Sequence, residues 1–243
     1  PANRSEFSDI AIIETPPVTW TVDLNGEGDF ETVQETIYNS RPFDHIVIRD
    51  GIYRESIELT HPVSIHGQGD VKFIKPETSD VILDVNAKIY NDSKWPNKQS
   101  LSIQNVKFLG SEEPNELGTG IRLDYGTSIK INKSHFAHFD NVINANHSSF
   151  SISNSILSNN RTISYHRSHL YAGTSQEDTV QFVHVNVLNT REAITDLEGG
   201  ISLAFLNSIL VDKLELKNSK DKFIGLGVSF YNVALDTNKI RSN

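Results

Sequence analysis

The chain has 243 residues, 37% of them hydrophobic and 22% charged, with a formal net charge of −9 and a pI near 5.4. That balance describes a folded protein rather than a disordered tail, and its acidity argues against a nucleic-acid or anionic-membrane partner, since both need a basic footprint. With no cysteine there is no disulfide framework, thiol nucleophile or cysteine-based metal site. No apolar run approaches the roughly 20 residues that span a bilayer. An acidic polysaccharide stays open as a partner, because a basic groove can sit on an acidic body. The chain holds no methionine, even at position 1, which reads as a processed or trimmed form, removal of a signal segment being one route to it.

In chain order, residues 1–25 read as an N-terminal arm broken by Pro16-Pro17. TVDLNGEGDF gives a short strand and a Gly-rich turn. Asp29 is the expected N-cap of a helix over about 30–39, whose Phe30, Val33 and Ile37 share one face. From 45 to about 240 the pattern is strand and turn. REAITDLEGG (191–200) reads as a turn or short helical loop.

The repeat is the strongest signal. Asn-Ser-Ile-Leu occurs at 154–157 and 207–210, each time after alternating apolar residues, with looser copies at LSIQNVKF, IKINKSHF, FVHVNVLN and VSFYNVAL. Aligned on the phrase, one column holds Asn105, Lys133, Asn154, Asn186, Asn207 and Asn232. A strand ending in Asn every 21 to 32 residues is a solenoid pattern. Its apolar positions are expected inside, its Asn column at a bend, and Lys133 at a local distortion. Seven or eight coils, roughly 4.8 Å apart, make a rod on the order of 35–40 Å. The expected class is all-β, a single-stranded parallel β-helix with an N-terminal capping α-helix, spanning 26–243.

Residues 26–69 carry a resemblance. Gly28-Asp29-Phe30, Thr32-Val33-Gln34, Gly51-x-Tyr53-x-Glu55 and the Gly67-x-Gly69 turn resemble the opening of pectinesterases, members of the pectin lyase-like superfamily of right-handed parallel β-helices. The resemblance implies that fold and a carbohydrate substrate class rather than one reaction. The esterase residues do not carry over. FAHFDNVI (136–143) stands at the family's Gln-Asp-Thr-Leu, with Asp140 and Asn141 where the Gln and the acid Asp would be. NNRTISY (159–165) stands at Asp-Phe-Ile-Phe-Gly, with Arg161 or Thr162 nearest the nucleophile, and TGIRL replaces Gln-Ala-Val-Ala-Leu. Leu-Gly-Arg-Pro-Trp is absent. Pectinesterase activity itself is not expected.

What remains is a lateral cluster just after the repeated phrases. Asp140, Arg161, His138 and His166 are the candidate catalytic residues; Arg122 and Asp124, with Tyr90 and Trp95 on the 90–100 loop, are candidates for binding sugar. A 21-residue offset sets Asp140 over Arg161, where the plain reading is a solvated cross-coil salt bridge. Lyases of the superfamily use Lys or Arg as base and cations on the uronate, so calcium stays open, with no cofactor firmly implied. The pairs in HFAH (135–138) and HRSH (166–169) point to opposite faces of a strand, and no metal site is expected. His184 is expected in the core. Five Asn-x-Ser/Thr sequons, at Asn3, Asn91, Asn132, Asn146 and Asn160, read as chance in so Asn- and Ser-rich a chain.

Two functions fit. One is a secreted or cell-surface protein acting on or binding an acidic polysaccharide by lyase- or hydrolase-like means. The other is a non-catalytic adhesin, surface or tailspike module that binds glycan. A trimeric fibre would add an exposed apolar stripe, and none stands out.

Overall fold

The computed structural model describes residues 16–86, 101–113, 116–124, 127–167, 178–190, 192–196, 201–211, 215–217, 223–226 and 229–231. Each repeat becomes a coil of three strands. In one coil these are Ser128–Asn132, His135–Ala137 and Asn141–Asn146; in the next they are Ser149–Ser153, Ile156–Ser158 and Thr162–Arg167. The first and second strands of successive coils lie in one 15-stranded sheet folded at a bend, and the third strands form a 7-stranded sheet. Pairing between coils is parallel, residue on residue. The result is a three-faced parallel coil.

Alternation at period two explains the core. On the first face Ile65, Ile103, Ile131, Ile152, Phe182 and Phe205 stack in register and are buried. On the second face Tyr53, Phe73, Phe108 and Phe136 stack with ring centroids 5.7, 5.5 and 4.7 Å apart. Leu157, Val187 and Leu210 continue that row. On the third face the row is Ile57, Leu83, Ile121 and Ile143. Each such buried side chain contributes about 1.5–3 kcal/mol.

The bend between the first and second faces shows what Asn-Ser-Ile-Leu does. Asn105, Lys133, Asn154, His184 and Asn207 all adopt left-handed backbone, with φ between 47° and 58°, a conformation Asn tolerates better than most residues. The following Ser turns inward. Ser155 and Ser208 donate to the carbonyls of Ser153 and Leu206, and accept from the amides of Ser134 and Val185 on the previous coil. The Leu is buried.

Four expectations change here. The fifth member of the column is His184, not Asn186: Asn186 pairs with Ile156 and Ile209 two positions further on. His184 is therefore an exposed bend residue, 3.3 Å from the Asn207 amide, and not a core residue. Lys133 produces no distortion; its φ is 50° and its amide reaches the Ser153 carbonyl. The Ile of the phrase faces outward, so Ile156 and Ile209 are about two-fifths exposed, with Leu188 beside them. Asn232 lies outside the described residues.

Near the N-terminus Thr19–Val22 pairs with 45–48. The helix is Val33–Asn39, shorter than expected, and its N-cap is Thr32, whose Oγ1 accepts from the Glu35 amide. Asp29 instead accepts from the Thr21 amide. Glu55 holds the helix to the first coil, accepting from the Val33 and Gln34 amides at 3.0 Å each. Burial raises its carboxyl against those two donors. Gln34 exchanges two bonds with the Glu58 backbone. The stretch read as a turn or helical loop at 191–200 contains a strand, Glu192–Asp196, because it stacks on Thr162–Arg167.

Candidate functional site: the third face

The residues after each phrase form a second bend, with His138, Asn159 and Asn189 in left-handed backbone. That bend delivers the chain to the third face. Asn160 anchors it from inside: its Oδ1 accepts from the Phe139 amide and its Nδ2 donates to the Phe136 carbonyl, both at 3.1 Å. Just outside Asn160, the Nη1 of Arg161 lies 3.0 Å from Oδ1 of Asp140, both groups substantially exposed. The Asn141 amide donates to the other Asp140 oxygen at 3.3 Å. The cross-coil pairing expected from the 21-residue offset is present.

Further along the same face an outward row runs Glu58, Asp84, Arg122, Asn144 in register. Arg122 grips Asp84 through two nitrogens, the Nε bond being 3.0 Å, and that bond raises the guanidinium further. Asp124 sits beside this pair, its carboxyl raised first by burial and then by the charge of Asp84, with Arg122 opposing. Sequence reasoning missed Asp84. Its offset to Arg122 is 38 residues, outside the 21-to-32 repeat, because the 87–100 segment lengthens that coil.

The candidates therefore separate. Asp140 with Arg161, and Arg122 with Asp124, lie on the third face. His138 is half-buried on the bend two residues before Asp140. His166 is in the strand opposite Ala145 and Asp196, in a different register row from Arg122 and Asn144; its side chain, like Tyr90 and Trp95, lies outside the described residues.

A two-carboxylate ester hydrolysis needs an acid and a nucleophile on adjacent coils. The residues stacked on Asp140 are Gly118 on one side and Arg161 and Thr162 on the other, and none is a carboxylate. For calcium, Asp84 and Asp140 are each engaged by an arginine, and no group of three or more candidate ligands occurs among the described residues. What this face does offer is two exposed guanidinium forks, shaped for carboxylates, with amides between them.

A curled, all-parallel, three-faced coil of this kind defines the class of fold: a parallel β-helix. Among solved structures it is similar to pectin methylesterase from carrot (10% identity, TM-score 0.61, covering 99% of this chain and 90% of that one). It is also similar to the pectin methylesterases of Aspergillus niger (10%, 0.58, 95% and 91%) and Erwinia chrysanthemi (10%, 0.54, 95% and 93%). No protein-family model matches the chain, and no curated protein matches it. At this identity the likeness is one of fold.

Proposed function

We propose that this is a carbohydrate-binding β-helix that holds an acidic, pectin-type polysaccharide on its third face without removing methyl esters. The observation that carries the reading is Arg161 bound to Asp140 at the position where an esterase needs a second carboxylate. Exposed Arg–Asp pairs contribute well under about 1 kcal/mol. A uronate carboxylate therefore displaces Asp140 from Arg161 at little cost, competes at Arg122 with the more tightly held Asp84, and as part of a polymer engages both arginines at once. Asp124, Asn141 and Asn144 complete the polar lining, and Tyr90 and Trp95 are assigned to stacking on sugar rings. The right hand of the coil, the helix as its N-terminal cap and an extracellular setting belong to the same reading.

A lyase or hydrolase acting at this face is the second reading. Its support is that the solved neighbours reported above are pectin methylesterases. It assigns Asp140, His138 and His166 to proton transfer and Arg161 to the substrate carboxylate. A panel of pectins and other uronate polysaccharides separates the two, read by methanol release and by ultraviolet absorbance of unsaturated product. Binding with no product at any pH supports the first reading. Product that disappears in Asp140→Asn establishes the second.

A further inference from the structure

A cavity of about 230 Å³ opens on the other side of the molecule, at the bend between the first and second faces. Its polar lining comes from Asp70, Asn105, Lys107, Lys133, His135 and Asn154. None of these belongs to the third face. The charge in it is unbalanced. Asp70 is shared by Lys72 at 2.8 Å and Lys107 at 2.6 Å, and Lys133 has no carboxylate within ion-pair distance among the described residues. Among the lining residues two lysines stand against one aspartate, which Lys72 outside the lining also neutralises, so the concavity carries an excess positive charge on an acidic protein. His135 adds none near neutrality, because burial, then Lys107 and His138, lower its pKa.

Lys133 is the second observation. It occupies a left-handed bend position that the neighbouring coils fill with Asn105 and Asn154. Those asparagines bond the Gly67 carbonyl and the Asn132 side chain through their amide nitrogens. Lysine forgoes that bond and carries a side chain less suited to this backbone. A cation at the cavity, where the coils on either side carry neutral amides, points to an anionic ligand.

We propose that this cavity binds a single carboxylate-bearing sugar, a hexuronate unit, separately from the third face. Lys133 and Lys107 meet the carboxylate, and the amide oxygens of Asn105 and Asn154, unused in the bonds above, accept from hydroxyls. Exposed Ile156 at the rim supplies an apolar surface for the ring. The volume lies below the roughly 300–1,000 Å³ of drug-sized sites, so it suits one ring rather than a chain. The anion rests on the cavity alone; the sugar class rests on the reading proposed above.

The test is calorimetric titration of the intact protein with galacturonate, galactose and inorganic phosphate. Galacturonate is expected to bind and galactose not. Lys133→Asn, which restores the residue of the neighbouring coils and so keeps the fold, is expected to weaken galacturonate at least tenfold, and Lys107→Gln to act likewise. Lys130→Gln, on the first face and outside both the cavity lining and the third face, should leave it unchanged. No galacturonate binding at tens of millimolar, or binding indifferent to Lys133→Asn, overturns the site. Phosphate binding as tight as galacturonate overturns the sugar assignment. Polymer binding lost in Arg161→Gln with no monomer binding sinks this site and spares the proposed function; monomer binding without polymer binding does the reverse.

Discussion

Asn160 is the most exacting place to perturb this protein, because one buried side chain sets the bend that presents Arg161 and Asp140. Its amide bridges two coils, satisfying the Phe139 N–H and the Phe136 carbonyl. Asn160→Ala leaves both groups buried without a partner. At about 1–3 kcal/mol for each orphaned group, the expected loss is about 2–6 kcal/mol. Asn160→Asp keeps an acceptor for Phe139 but turns a carboxylate oxygen toward the Phe136 carbonyl, so its cost should be largest at neutral pH and ease in acid. Urea denaturation measures both, read from the midpoint at unchanged slope. An alanine variant within about 0.5 kcal/mol of the parent, the range of an ordinary surface substitution, refutes the reasoning, as does an aspartate variant as stable as the parent at pH 7. The same burial explains why the Asn160-Arg161-Thr162 sequon should carry no glycan when the folded protein meets the glycosylation machinery.

Phe136→Ala, at the closest stack of the aromatic row, should cost about 3–5 kcal/mol by the same denaturation; a loss under about 1 kcal/mol would mean the row does not form. A double-mutant cycle on Asp140→Asn and Arg161→Gln should give a coupling below about 1 kcal/mol, since both groups are exposed and screened; a larger value would show a pair sheltered from water. Burial lowers the pKa of both His61 and His135 in the folded state. Their contribution is then fully present above about pH 6.5, the ordinary histidine value, and lost as pH falls toward the folded values, because only the unfolded chain takes up those protons. Melting temperature should decline from pH 7 to 5, and His135→Gln should flatten part of that decline; an unchanged profile would place the ring in water.

The solenoid was legible because identical residues do identical work on every coil. Leu157 and Leu210 fill one buried row, and Ser155 and Ser208 make the same two hydrogen bonds. The register of 182–189 was not legible. The left-handed bend accepts His184, while an Asn two residues later drew the alignment to itself. Nor could period two alone show that Ile156 and Ile209 face solvent. The resemblance at 26–69 conveyed fold and little else, for a physical reason: Asp29, Thr32, Gln34 and Glu55 spend their hydrogen bonds fastening the helix and first strand to the coil. Gly28 and Gly67 lie where a side chain would strike the Thr21 and Asn105 carbonyls. The Asp140–Arg161 contact followed from the uniform 21-residue offset, whereas Asp84–Arg122 was hidden by a longer coil.

On the proposed reading, the arginines of the third face hold a polyuronate that the protein does not cleave. Titration of polygalacturonate into the parent and into an Arg122→Gln, Arg161→Gln double variant, at low and at physiological salt, tests it most directly. Salt-sensitive binding by the parent, at least tenfold weaker in the double variant, is expected, with the polymer recovered intact. Equal affinity of the two proteins, or a shortened or unsaturated polymer after incubation, would contradict it.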